Sequence, residues 1–331
     1  MEMTQIGPME FVTPLIAAAT SATARLEDLR ILNDTAIGGI ITKSATMLKR
    51  AGNPETNYFT EGDVTINAQG LPGPDLLDTV RLLEKFSRER TKPVILSIAG
   101  MNPAEYAEIV SVIAETVGKY FDAIELNLSC PNVAGKPIIS YDHDTALDIA
   151  DEIAGKYPQI PFGLKLAPHF SESEQTTLQY SLNEYLADHL DGDGWKASFG
   201  NQQWFDRDHL RKFAQKLFLL SHSAPNFCFV SATNTLPNCR IIRPNGQTAL
   251  HPQANGGQGG LSGHFLRDIS IANVKVLSEE LPPQVKIIGT GGVDSANVAN
   301  QYLQSGASAV AIGTALINRG PRVIQEILLD L

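Results

Sequence analysis

Eight short apolar runs, each followed by a segment long enough for a helix, constrain this chain more than any other feature. They fall near residues 15–20, 36–43, 93–98, 123–129, 162–167, 227–233, 285–290 and 308–313. They are rich in small and β-branched residues and apolar on both faces, as strands of a buried parallel sheet must be. The segments between them have helical periodicity. Leu76, Leu77, Val80, Leu83 and Phe86 form one stripe, with Arg81, Glu84 and Arg88 outside it. Residues 103–119 open on Asn102-Pro103, an N-cap followed by proline at the first helical position, and 265–281 and 294–305 behave similarly. Eight strands joined by helices predict an α/β protein, a right-handed (β/α)8 TIM barrel spanning residues 1–331 as a single domain.

Two stretches exceed a simple connection: residues 44–72 after the second strand, which contain Val64-Thr-Ile-Asn-Ala-Gln69, and residues 169–226 after the fifth. The second includes Asp191-Gly-Asp-Gly-Trp195 and a helical stretch from Asp206 to Leu220. Insertions of this length on a barrel form lids, subunit surfaces or a small extra subdomain.

Composition narrows the function. A formal net charge of −10 and a pI of about 5.2 argue against general nucleic-acid binding. No stretch approaches the about 20 apolar residues that cross a bilayer, and the amino terminus does not read as a secretory signal. A cytoplasmic protein with no membrane partner is expected. Cys130, Cys228 and Cys239 have no CxxC spacing, so neither a zinc centre nor a disulfide framework is indicated. Asp191 and Asp193 lack the remaining ligands of a calcium loop, and no metal site is expected. His169 reads as a loop residue, Cys228 as core and Cys239 as a loop thiol.

Chemistry-bearing residues gather where the predicted strands end, the usual position of a barrel active site. In Glu125-Leu-Asn-Leu-Ser-Cys-Pro-Asn132 a strand runs into a loop carrying a thiol, two carboxamides and a hydroxyl. Lys43 and Lys165 interrupt apolar runs, which costs stability unless each faces an anion or a polar cofactor. Gly291-Gly292 and Gly313-Thr314 leave backbone N–H groups uncovered after the last two strands, where barrels commonly hold phosphate. A third cluster, Gly256-Gly-Gln-Gly-Gly260, either lets the backbone approach the same cofactor, with Gly257 as the contact, or serves as a flexible loop.

These motifs together resemble the class 1 dihydroorotate dehydrogenases, closest to the 1A branch. The markers are Ile41-Thr-Lys-Ser44, Ile66-Asn-Ala-Gln-Gly-Leu-Pro72, Ser97-Ile-Ala-Gly100, Glu125 through Val133 with Gly135-Lys-Pro137, Ile287 through Gly292 and Ile312-Gly-Thr314. The resemblance covers nearly the whole chain. It implies a barrel holding FMN and an enzyme of pyrimidine biosynthesis that oxidises dihydroorotate to orotate, with Cys130 taking the C5 proton and hydride passing from C6 to flavin N5. By the same resemblance Asn67, Asn127, Asn132 and Asn234, with Thr235 beside them, bind the substrate. Lys43 lies between substrate and flavin, Ser44, Asn127 and Lys165 are further flavin contacts, and Gly291, Gly292, Gly313 and Thr314 cradle the phosphate. Fumarate as oxidant and a homodimer are also implied. The chain departs from the family at Ala17-Ala-Ala-Thr20, where Asn-Ala-Ser-Gly is usual, and at Leu236-Pro-Asn-Cys-Arg240. Those changes keep open a paralogue acting on another small dihydro-heterocycle, and a catalytically silent barrel is the remaining alternative.

Overall fold

A computed structural model describes residues 3–129, 138–190, 194–200 and 205–331. The chain opens with a hairpin, β1 (Thr4–Ile6) and β2 (Met9–Phe11), followed by β3 (Leu15–Ala17) and β4 (Gly39–Ile41). A second hairpin, β5 (Tyr58–Glu61) and β6 (Val64–Asn67), precedes β7 (Val94–Ile98), β8 (Ala123–Asn127) and β9 (Phe162–Leu166). Next come β10 (Lys196–Phe199), β11 (Phe227–Ala232), β12 (Leu236–Ile242), β13 (Gly259–Ser262), β14 (Lys286–Thr290) and β15 (Ala309–Ile312). The first five helices are α1 (Leu26–Asn33), α2 (Leu76–Phe86), α3 (Pro103–Ile113), α4 (His143–Lys156) and α5 (Glu172–His189). The rest are α6 (Arg207–Ser223), α7 (Arg267–Glu280), α8 (Ala296–Gln304), α9 (Thr314–Arg319) and α10 (Arg322–Leu329).

Among the described residues, β3, β4, β7, β8, β9, β11, β14 and β15 pair in parallel, in that order, and close on themselves. Each coincides with one of the eight apolar runs, so the (β/α)8 expectation holds strand for strand. Alternation along each strand sorts side chains between two cores. On β8, Ile124 and Leu126 face the outer helices, while Ala123 belongs to the barrel interior. Glu125 points inward as well, because its Oε2 accepts a hydrogen bond from Ser231 Oγ of β11, two strands away (2.6 Å).

The interior is apolar at the amino-terminal end of the strands and polar at the carboxyl end. Ile6, Met9 and Phe11 of the first hairpin join Ile16, Ile41, Ile95, Phe229 and Ile288 to plug the bottom. Two glycines leave space for the aromatic rings. A Cβ on Gly39 would meet the Phe11 ring at 2.4 Å, and one on Gly163 the Phe229 ring at 2.4 Å. Cys228 is buried against Gly7 of the same plug, and desolvation pushes its thiol up to about 11.

Both long connections join one structure that the sequence reading did not foresee. β5 and β6 from residues 44–72, β10 from 169–226, and β12 and β13 from the segment after β11 form an antiparallel sheet in the order β10-β12-β13-β6-β5. Its apolar side, including Val64, Ile66, Ala197, Ile241 and Leu261, packs with Leu182 and Leu186 of α5. Three sequence readings change accordingly. Cys239 is fully buried in β12 rather than a loop thiol, and Gly259-Gly260 begin β13 rather than a flexible loop. Helix α6 packs against α4 and α7, so it belongs to the barrel's outer ring; only the stretch holding α5 and β10 is extra. No described helix is long and apolar enough to cross a membrane.

Candidate active site

The carboxyl ends of the barrel strands and the five-stranded sheet enclose a cavity of about 330 Å³. Of the residues singled out in the sequence, Lys43, Ser44, Asn67, Asn127, Lys165, Asn234, Thr235, Gly291, Gly292, Gly313 and Thr314 all line it. Cys130 and Asn132 lie outside the described residues. Gly257 does not line the cavity: it ends a short turn (Asn255–Gly257) at φ 74°, and a Cβ there would meet the Thr248 side chain at 2.6 Å. From that segment the glycine reaching the cavity is Gly263, beside Ser262.

The polar groups on the cavity floor are joined across strands. Asn127 Nδ2 donates to Ser44 Oγ (3.0 Å), and Ser44 Oγ lies 2.9 Å from Ser97 Oγ. Asn234 Nδ2 donates to the Ser129 carbonyl (3.1 Å) and lies 3.3 Å from Asn127 Oδ1. Tyr106 of α3 donates its phenol O–H to the Asn127 carbonyl (2.7 Å). A network of this kind holds each amide in one orientation, as recognition of a polar ring requires. Asn67 approaches from above, on β6, with Nδ2 3.4 Å from the Gly260 carbonyl. Thr235 Oγ1 is buried and has no hydrogen-bond partner among the described residues, a group that a ligand would satisfy.

Two lysines supply positive charge. Lys43 Nζ donates to Gln69 Oε1 (2.9 Å), a residue inside a quoted motif to which the sequence reading gave no role. Lys165 is 7% exposed and has no carboxylate within ion-pair distance among the described residues. A buried ammonium in that situation is costly unless a bound anion or polar ligand compensates it. Glu125, fully buried below the floor, keeps Oε1 without a partner among the described residues. In the sequence it stood only as the first residue of the motif that runs to Asn132.

Backbone shape dominates the opposite wall. Gly291 (φ 127°) and Gly292 (φ 67°) adopt conformations that side chains disfavour. A Cβ on Gly292 would strike the Gly263 carbonyl at 2.7 Å, and one on Gly291 would strike Ser270 Oγ at 2.3 Å. Tyr302 of α8 pins this turn by donating to the Gly291 carbonyl (2.6 Å). Gly313 and Thr314 start α9, whose first N–H groups have no acceptor within the helix. The divergent residues Ala18, Ala19 and Thr20 still line the cavity, and Thr20 caps the turn that follows them.

Over this floor hangs the tip of the β5–β6 hairpin, with Gly62 and Asp63 lining the cavity. Tyr185 of α5 supports the tip: its phenol oxygen accepts a hydrogen bond from Asp63 N (2.9 Å).

The family model for dihydroorotate dehydrogenase matches residues 1–190 and 213–331. Similar proteins include one from Streptococcus uberis named putative dihydroorotate dehydrogenase A (fumarate), 33% identical over 99% of this chain and 91% of that protein. Another, from Lactococcus lactis subsp. lactis and named dihydroorotate dehydrogenase A (fumarate), is 30% identical over 100% of this chain and 93% of its own length. Among solved structures, ligand-free DHODH from Eimeria tenella shares the fold, with a TM-score of 0.73 at 20% identity over 99% of this chain and 86% of that one.

Proposed function

Because the chain belongs to the dihydroorotate dehydrogenase family, we propose that it oxidises dihydroorotate to orotate as a class 1A enzyme, using FMN and fumarate. The observation that carries this reading is the convergence of Asn67, Asn127 and Asn234 with Lys43 and Lys165 in one cavity over the carboxyl ends of the barrel strands. Dihydroorotate presents urea-like edges and a carboxylate, and these match the amides of Asn67, Asn127 and Asn234.

The cavity suits FMN on three counts. The turn at Gly291-Gly292 has no side chain of its own, and among the described residues Lys165 lacks a counter-ion and Thr235 Oγ1 has no hydrogen-bond partner. In this reading Gly291, Gly292, Gly313 and Thr314 hold the phosphate, while Lys43, Ser44, Asn127 and Lys165 border the ring system. Bound FMN would supply the hydride acceptor. Lys43 and Lys165 place positive charge where negative charge develops during the reaction. Cys130 accepts the C5 proton. With a free thiol titrating at about 8.5, turnover rises with pH through that region.

The deciding experiment is anaerobic. Dihydroorotate added to the purified yellow protein should bleach the visible flavin band, and fumarate should restore it. Bleaching without recovery would retain the substrate and remove fumarate. A yellow protein that dihydroorotate does not bleach would favour the paralogue reading, to which the altered residues Ala18, Ala19 and Thr20 on the cavity wall lend support. Cys130→Ala should keep flavin bound while slowing its reduction by about 100-fold or more; unchanged reduction would remove the base assignment. The class 1A reading also carries a homodimer, and light scattering showing a monomer would count against it.

A further inference from the structure

Outside the cavity, three histidines from separate parts of the chain meet. We propose that His143, His169 and His209 form a binding site for a divalent transition-metal ion of the zinc class. One ring nitrogen of each lies within 4.8 Å of those of the other two. His143 opens α4, His209 lies in the first turn of α6, and His169 follows β9.

Three features separate this group from a chance cluster. First, His143 Nε2, His169 Nε2 and His209 Nδ1 are all buried without a hydrogen-bond partner among the described residues. Three unpaired nitrogens in one place are destabilising unless something satisfies them together. Second, the tautomer of His169 is fixed. Its Nδ1 lies 3.2 Å from the Ala167 carbonyl, which only accepts, so Nδ1 carries the proton and Nε2 presents a lone pair. A backbone carbonyl on the far nitrogen is the usual outer support of a metal-binding histidine. Third, His169 is fully buried and held rigidly. Asn273 of α7 accepts from its backbone N (2.7 Å) and donates to its carbonyl (2.7 Å).

The chemistry of the donor set selects the ligand. Three imidazole nitrogens with no carboxylate among the grouped ligand atoms suit zinc or a neighbouring transition ion rather than calcium or magnesium. Zinc–nitrogen bonds of about 2.0–2.1 Å require the rings to draw together, with His143 and His209, both only partly buried, as the two that shift. Such an ion would tie the two ends of the excursion that holds α5 and β10 to the barrel helix α4. Those ends already touch through the Phe170 N–H and the Phe205 carbonyl (2.7 Å). His209 falls within residues 191–212, which the family model leaves unmatched, so the triad is not accounted for by the family pattern.

The test uses the untagged, flavin-loaded protein, stripped with a chelator, re-equilibrated with micromolar zinc sulfate and passed over a desalting column. Retained zinc is then measured by mass spectrometry, and Tm with and without the metal. One zinc per chain and a Tm rise of about 5 °C are expected. His143→Ala and His209→Ala should each weaken zinc retention about 100-fold or more and abolish the Tm response while keeping the far-ultraviolet spectrum. A control pair on exposed histidines, His189→Ala with His222→Ala, should bind as the parent does. The proposal fails if the parent retains no zinc, or if the His143 and His209 variants retain it as well as the parent. None of these readouts depends on which substrate the cavity takes.

Discussion

In the barrel, paired strands are mostly neighbours along the chain: β7 lies beside β8, and β8 beside β9. In the antiparallel sheet above it, Gly260 of β13 lies opposite Asn67 of β6, and Lys196 of β10 opposite Ile242 of β12. The barrel strands are buried on both faces, whereas β5 and β10 have exposed residues and cover one side of a cavity. The two regions therefore carry different loads. The barrel fixes Asn127, Asn234 and the two lysines in place, and the sheet brings Asn67 over them and closes the site with a hairpin tip steadied by the Tyr185 phenol. A substitution in the first should threaten the fold, and one in the second should change the closing of the site.

Gly163→Val probes the barrel most severely. Its Cβ would fall 2.4 Å from the ring of Phe229, a member of the buried plug. Overpacking of this kind is expected to cost about 3 kcal/mol or more, read as insoluble protein or a large drop in Tm. A normal Tm would mean that the plug is softer than the geometry implies. Lys165→Met separates stability from function within the same barrel. Removing a buried ammonium and keeping the stem should leave Tm equal or higher, while flavin content or the rate of flavin reduction falls by about 100-fold. Intact flavin content and reduction rate would assign the lysine no part in the site.

The sheet should answer more mildly. Tyr185→Phe deletes the acceptor for Asp63 N and is expected to cost about 1 kcal/mol, appearing in KM more than in Tm. An equal fall in Tm and activity would mean that the sheet and barrel unfold as one. The smallest effect concerns the two described thiols, one in each region. Cys228 is raised to about 11 by burial, and Cys239 is raised for the same reason. An alkylating agent at pH 8 should label neither until the protein is unfolded. The folded Cys228 holds its proton where the unfolded chain would lose it. Its contribution to stability is therefore complete below the ordinary thiol range and declines as pH rises toward about 11. Labelling of Cys239 in the native state would show the sheet opening on its own.

What was legible in the sequence follows the same division. Strands such as Val94–Ile98 and Phe227–Ala232 announce themselves because burial on both faces demands an unbroken apolar run. Lys43 and Lys165 stood out against those runs, and both line the cavity. The sheet gave weaker signals. β12 contains Pro237 and an Asn238 at φ 62°, where the register against β13 shifts, so it reads as a loop. β13 starts with two glycines and has no β-branched residue. The pairing partners that make these segments strands lie far away in the chain, and no local pattern encodes them. The histidine triad was hidden for the same reason. His143, His169 and His209 share no motif spacing, and only packing of α4 and α6 around the end of β9 unites them.

The remote pairing in the sheet also orders events in time. Asn67 is made early in synthesis and can pair with Tyr58 at once, yet it lacks its β13 partner until Gly260 has been added, and the barrel seam between β15 and β3 waits for Ala309–Ile312. Local βα units carry a small loop-closure cost and form first, while contacts of long sequence separation form late. The cavity is thus among the last features to mature, so a chain stalled shortly before its end would hold most of its helices and no competent site.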